Sequence, residues 1–390
     1  MQSICLVEGV RAAGVREGKY GVALIAASGT AAAVFTKNLV SAEPVHLMRE
    51  RMTAGTLDGI VVNAGNANVF TGTQGYTDAC RMAEDAAIVL GTVPERIGVA
   101  STGVIGRYMK MDILTRQIRE AGGMLRSDAT AETDAARAIM TTDLVEKHAA
   151  AVRDGFVVAG ITKGSGMIAP NMGTMLAFVY TDATIAAPAL QEALQTAVTR
   201  SFNRVVVDGD TSTNDCVFCT ATGRRETPDM AVFQEALEEV CISLARQIAA
   251  DGEGATKLIE VRVTGTQTEE DAAAVARTIV GSPLVKTAVY GNDPNWGRII
   301  AAAGRAGVDF DPVTATIAVT DGTRRVILAD KGRICADNVM YPEELAKAAS
   351  LMGGAEVIFE VSLTAGTASA TAWGCDLTER YVEINGKYTT

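Results

Sequence analysis

Between residues 163 and 183 the chain reads Lys-Gly-Ser-Gly-Met-Ile-Ala-Pro-Asn-Met-Gly-Thr-Met-Leu-Ala-Phe-Val-Tyr-Thr-Asp-Ala. A loop punctuated by glycine and proline ends at Gly173-Thr174, and an apolar, strand-forming run begins at once. A threonine so placed gains chemistry if the bond before it is cut. Its freed α-amino group, titrating at roughly 7.7–8.0 in model peptides, then serves as base for its own hydroxyl. The cut itself needs the Thr174 hydroxyl to attack the Gly173 carbonyl, giving an ester that water opens. Bends at Gly164, Gly166 and Pro170, with Gly173 itself, allow the strained backbone that this attack requires. The plain alternative is a β-favouring threonine at an ordinary strand start.

Other groups bear on the same chemistry. Lys163 lies eleven residues before Thr174 and could bind a substrate carboxylate or stabilise charge near the nucleophile. Thr102-Gly103 follows an apolar strand, and a hydroxyl beside a glycine N–H can form an oxyanion hole. A simple strand-to-loop turn would use the same two residues. Glu253 sits between two glycines, an exposed place for a carboxylate that suits either an ammonium ligand or plain solvation. The two histidines, His46 and His148, stand in no Gly-x-Ser-x-Gly elbow and beside no persuasive cysteine, and His148 is expected to end a polar helix in solvent. No metal site is expected. Cys216-Val217-Phe218-Cys219 has metal or redox spacing but no second pair, so buried strand thiols are expected. Gly164-Ser165-Gly166 lacks the ending of a phosphate loop, and Asp208-Gly209-Asp210 lacks the downstream glutamate of a calcium loop and reads as a structural turn.

Elements that could hold these groups alternate along the chain. Apolar spacing predicts helices over Thr77–Leu90, Asp112–Ala121, Ala131–Lys147, from Pro188 to Phe202, from Thr227-Pro228 to Gly252, and over Thr268–Val280 and Pro342–Met352. Strands are predicted at Gly59–Val62, Ile97–Ser101, Phe156–Thr162, Met175–Tyr180, Leu284–Tyr290, Thr314–Val319, Val357–Thr364 and Tyr381–Ile384. Another is expected around Ile259, Val261 and Val263, with Glu260 and Arg262 on a wet face. The class is α/β with mixed sheets. No repeat, low-complexity stretch or Pro/Ser-rich linker marks a domain border.

Composition narrows the function. The 390 residues are 48% hydrophobic with a net charge of −11, and no basic run exceeds a dipeptide such as Arg224-Arg225. Nucleic acid is therefore a poor partner. The first residues lack the pattern of a secretory signal, and no apolar segment reaches 18 residues, so no membrane partner is expected. Seven scattered cysteines fit free thiols in a reducing cytoplasm.

The stretch Lys163–Ala183 resembles the self-cleavage region of the ornithine acetyltransferases, also called glutamate N-acetyltransferases. The likeness continues through Val34-Phe35-Thr36-Lys37-Asn38, Ser101-Thr102-Gly103-Val104-Ile105-Gly106 and Asp208-Gly209-Asp210-Thr211-Ser212-Thr213-Asn214-Asp215. It extends over Asp251–Lys257, Tyr290–Gly297 and the tail Ile384–Thr390, and so covers almost the whole chain. The chain departs from the pattern at Gly173, where many members carry alanine. The resemblance implies a layered mixed-sheet fold of the N-terminal-nucleophile type, with sheets sandwiched between helices. It implies cleavage between Gly173 and Thr174 into an α chain (1–173) and a β chain (174–390), associated as α2β2. It assigns Thr174 as nucleophile, Thr102 and Gly103 as the oxyanion pair, and Thr141, Lys163, Glu253, Asn385 and Thr390 as substrate contacts. By residue pattern alone Asn385-Gly386 reads as a hairpin turn, and Thr390 as a frayed end.

The expected reaction moves acetyl from N2-acetyl-L-ornithine to L-glutamate by way of acetyl-Thr174. Ornithine and N-acetylglutamate are the products, and no cofactor is needed. Some members of the family also accept acetyl-coenzyme A. One rival expectation is an aminopeptidase or amidohydrolase of related architecture. Another is a metabolite-binding protein that never cleaves.

Overall fold

The alanine- and valine-rich run Tyr20–Phe35 forms a strand of 16 residues on which a whole sheet is assembled. A computed structural model of the chain describes residues 3–169 and 175–387. Its contacts divide into two units, the first holding residues 3–169, 175–203 and 210–244, the second 204–209 and 245–387.

The first unit contains strands β1 (Arg11–Glu17), β2 (Tyr20–Phe35), β3 (Thr56–Asn66), β4 (Ile97–Val104), β5 (Lys147–Arg153), β6 (Phe156–Lys163) and β7 (Leu176–Thr181). The next strand in the chain, β8 (Val205–Val206), belongs to the second unit, and β9 (Cys216–Ala221) returns to the first. The order is β4-β3-β2-β9-β7-β6-β5, with β1 paired to the first half of β2. β3 runs parallel to β4 and β7 parallel to β9, while the other neighbours are antiparallel. Central strands β7 and β9 are buried along their whole length, as continuous apolar runs in a mixed sheet require. Helices Met111–Met124 and Ala129–Ile139 pack on β1 and β2, and Ala187–Arg200 packs on β2 and β9.

The second unit adds β10 (Leu258–Thr266), β11 (Thr316–Thr320), β12 (Arg325–Asp330), β13 (Arg333–Ile334), β14 (Glu356–Ser362) and β15 (Ala368–Cys375) in the order β13-β12-β11-β14-β10-β15-β8. Helix Glu269–Val280 covers β10 and β15, opened by a capping box between Thr268 and Asp271. Among the described residues, no helix is long and apolar enough to cross a membrane.

Several expectations are corrected. Leu284–Tyr290 lies in a helix, Pro283–Tyr290, which buries Val285, Ala288 and Val289 at helical spacing and has Pro283 in its first turn. Tyr381–Ile384 lies in the helix Glu379–Lys387. Short apolar runs do not separate helix from strand by periodicity. The helix expected over Ala131–Lys147 stops at Ile139, and Lys147 starts β5. The helix expected from Thr227-Pro228 begins at Met230, where Asp229 accepts the Ala231 amide at 2.7 Å. Glu260 is buried rather than wet, among Arg246, Arg262 and the Trp373 indole, whose Nε1 donates to it at 2.8 Å.

Candidate active site

Lys163 ends β6 and lies directly across the ladder from Leu176, two residues after Thr174. It is almost wholly buried. Its Nζ donates to Thr102 Oγ1 at 3.2 Å and to Thr141 Oγ1 at 2.9 Å. A lysine ammonium carries three donors and no acceptor. Each threonine oxygen must therefore receive from Lys163, which leaves its own O–H to donate elsewhere. Three residues named separately from the sequence thus converge, and two of them present hydroxyl protons around one cation.

Gly103 follows Thr102 within β4, paired with Gly65 of β3. Its φ is +129°, and a Cβ would stand 2.4 Å from the carbonyl carbon of Gly65. Only glycine fits there, so the backbone after Thr102 reaches a conformation closed to other residues. Thr102-Gly103 is not a turn after the strand but part of it.

Asp143 aligns the cation. Its Oδ2 lies 4.0 Å from Lys163 Nζ and accepts the Thr141 amide at 3.1 Å. Its Oδ1 accepts from Lys147 Nζ at 2.8 Å and from the Gly164 amide at 2.6 Å. Burial pushes this carboxyl up, but Lys163, Lys147 and the Gly164 N–H outweigh it and hold Asp143 well below the usual carboxylate range. The loop after helix Ala129–Ile139 and the end of β6 are thereby fixed together, Thr141 included.

The segment 211–215 follows the Asp208-Gly209-Asp210 turn and was given no role of its own from the sequence beyond its place in the family resemblance. Asn214 Nδ2 donates to Ser101 O at 2.8 Å and Ala67 O at 2.6 Å, gripping the strand just before Thr102. Thr36 Oγ1 donates to Ser212 O at 2.6 Å, and the Thr36 amide to Asp215 O at 3.0 Å. Asp215 Oδ1 accepts the Met175 amide at 3.0 Å, and Met175 O accepts the Cys216 amide at 3.4 Å. The loop therefore grips both β4 and the residue that follows Thr174. Its sequence signal was present in the run Asp208–Asp215, but its partners are far away along the chain.

In the second unit, Asn385 Nδ2 donates to Glu253 Oε2 at 2.8 Å and to Tyr381 O at 3.2 Å. Asn385 is in a helix and not in the hairpin turn that Asn-Gly spacing suggests. The Glu253 loop is tied down by Asp376, whose carboxylate accepts the Thr256 amide at 2.8 Å, the Lys257 amide at 3.0 Å and the Thr256 hydroxyl. Thr378 Oγ1 donates to Gly254 O at 2.7 Å. Glu253 and Asn385, 132 residues apart, thus form one polar pair.

Gly173, Thr174 and Thr390 lie outside the described residues. His148 is not at a helix end but on β5, with Nδ1 3.2 Å from buried Glu132, which with burial opposing raises its pKa. Cys216 and Cys219 are buried strand thiols, both pushed up by burial. Among the described residues, no group of three or more His, Cys, Asp or Glu could hold a metal ion.

A family model described as the ArgJ family matches residues 7–390. The glutamate N-acetyltransferase of Methanosarcina mazei is 48% identical over 393 residues, covering 99% of this chain and 98% of its own length. The arginine biosynthesis bifunctional protein ArgJ of Symbiobacterium thermophilum is 49% identical over 386 residues, covering 96% and 93%. A crystal structure of the arginine biosynthesis bifunctional protein argJ of Bacillus halodurans matches with a TM-score of 0.50 and 46% identity. It covers 54% of this chain but 98% of the solved one.

Proposed function

The chain belongs to the ArgJ family, and from that premise we propose that it transfers the acetyl group of N2-acetyl-L-ornithine to L-glutamate through an acetyl ester on Thr174, as a step of arginine biosynthesis. The reading requires cleavage after Gly173. A solved relative accounted for by little more than half of this chain fits a protein that exists as two pieces. The pieces are residues 1–173 and 174–390, which we take to associate as α2β2 in the cytoplasm.

In the first half-reaction Thr174 Oγ attacks the acetyl carbonyl carbon, and the α-amino group of Thr174 takes the hydroxyl proton. The negative charge on the carbonyl oxygen is met by the Thr102 hydroxyl and the Gly103 N–H. Collapse expels ornithine, whose departing nitrogen takes the proton back. Glutamate then attacks the ester by the same route in reverse and leaves as N-acetylglutamate. Thr141, Lys163, Glu253, Asn385 and Thr390 hold the substrates, with Glu253 facing the ornithine ammonium. Acetyl-coenzyme A is a second donor that the same ester would accommodate.

The observation that carries this reading is Lys163 donating to Thr102 and Thr141 at once, which leaves both hydroxyl protons available to donate to a substrate. The test is initial-rate kinetics with acetylornithine and glutamate both varied. Parallel double-reciprocal lines are expected from a covalent intermediate, and intersecting lines would count against it. Release of free acetate outpacing acetylglutamate would indicate a hydrolase. Acetyl-coenzyme A as sole donor measures the second activity directly.

A further inference from the structure

We propose that the first unit carries a second ligand site, a notch in its sheet that binds a doubly charged oxyanion, either a phosphate group or a dicarboxylate. The inference does not depend on the reading of Thr174.

The notch lies where β2 changes partners. β1 pairs with β2 as far as Arg11 opposite Ala26, and β9 takes over at Ala221 opposite Thr30. Between these two pairings β2 bulges, Ala27 and Ser28 standing against Asp58 of β3 alone. A cavity of about 530 Å³ opens at this point, the size of a small-molecule site. The Thr222 hydroxyl donates to Glu8 O at 2.6 Å, so the chain entering β1 and the chain leaving β9 are tied together beside it.

Charge argues for an anion. Arg11 and Arg224 both line the cavity, and neither has an ion-pair or hydrogen-bond partner among the described residues. Arg224 Nε lies 3.4 Å from where a Gly9 Cβ would stand, so the guanidinium is folded over the chain that leads to Arg11. The acids nearby are already engaged. Asp58, which also lines the cavity, meets Arg96 at 2.7 Å and accepts the Thr92 hydroxyl. Glu8 meets Arg225 at 3.2 Å, while Asp128 meets Arg126 at 3.1 Å and accepts the Ala131 amide. Helix Gly72–Leu90 ends at the cavity, but the Gly91 and Thr92 amides both donate to its Ala87 carbonyl. Two positive charges thus remain uncompensated on one concave surface, in a chain whose net charge is −11. Like charges on one cavity repel until an anion lies between them. A guanidinium presents a planar fork of N–H donors that matches carboxylate and phosphate oxygens. Ser28 and Ser127 add two hydroxyls to the same lining, again without a partner among the described residues.

The notch is separate from the proposed acetyl-transfer site. Asp58 and Ala64 both lie on β3, and Ala64 is the residue opposite Thr102. Six residues of strand place about 20 Å between them.

The test is isothermal titration calorimetry of the full chain at low ionic strength, with inorganic phosphate and succinate as probes. Saturable binding is expected with a Kd at or below about 1 mM. Tighter binding of phosphate marks a phosphoryl ligand, and tighter binding of succinate a dicarboxylate. Arg11→Gln and Arg224→Gln should each weaken binding about tenfold or more, the loss of one charge-assisted contact. Neither arginine leaves a partner stranded, so without probe both variants should melt where the wild type does. Lys163→Met, which removes the cation beside Thr102, should bind the probe as the wild type does. The proposal is overturned if neither probe binds saturably up to about 10 mM. It is also overturned if the double variant Arg11→Gln/Arg224→Gln binds as tightly as the wild type, or if Lys163→Met abolishes binding. Should the double variant not fold, unchanged binding by both single variants overturns it in the same way. None of these measurements involves acetyl transfer, so their outcome is distinct from that of the catalytic reading.

Discussion

Lys163 matters because one ammonium sets the direction of two hydroxyl protons. Lys163→Met preserves length and burial but removes the donor, so Thr102 and Thr141 are free to turn their protons inward. Acetyl transfer should fall by about 10²–10³ in kcat, the usual cost of one lost oxyanion donor, as steady-state kinetics would show. Gly103→Ala is expected to fail differently. The added methyl meets the Gly65 carbonyl carbon at 2.4 Å, and its φ of +129° strains any side chain, for about 1–3 kcal/mol of backbone strain alone. Thermal melting should show the loss before any assay does. At this scale the sequence disclosed Thr102, Thr141 and Lys163 through the company they keep along the chain. It did not disclose Asp143 or Asp215. Each is one carboxylate among 46 acidic residues, and only folding brings Asp143 to Lys163 and Asp215 to Met175.

The elements around the site depend on buried charge. Asp143 and Lys147 are both fully buried in their side chains and join the end of β6 to the start of β5. Removing one partner of such a pair strands the other, so Asp143→Asn should cost about 3–5 kcal/mol at neutral pH in denaturant titration. The folded carboxyl is held below its unfolded value near 3.9. Its contribution is therefore complete above about pH 4 and is lost as pH falls further. In the Asn variant that part of the acid-induced loss should disappear. In the second unit, Asp376→Ala should loosen the Glu253 loop by removing its two amide bonds, raising KM for acetylornithine more than it lowers kcat. Long periodic stretches such as Pro342–Met352 were legible to the residue. Short strands such as Gly59–Val62 and Ile97–Ser101 were legible too, but Leu284–Tyr290 and Tyr381–Ile384 were not, because the state of so short a run follows from what it packs against.

For the molecule as a whole, the sheet of the first unit interleaves strands from both sides of the proposed cut. β7 and β9, which follow residue 174, lie between β2 and β6, which precede it. Alternation of helix and strand gave the α/β class, but this interleaving is a matter of which distant strands pair, and no local pattern encodes it. The compact units consequently do not coincide with residues 1–173 and 174–390, and their division falls inside helix Met230–Ala250 rather than at a linker. On a denaturing gel the protein should run as two bands, and Thr174→Ala as one; on a sizing column without denaturant the two pieces should travel together. The order of strands also has a price during synthesis. A gene expressing only the first piece would leave β2 and β6 with raw edges, and the second alone would present β7 and β9 as a bare apolar ribbon. Unpaired edges of that kind invite aggregation. The proposed scission would therefore have to follow completion of the sheet, and halves made separately should be insoluble unless produced in the same cell.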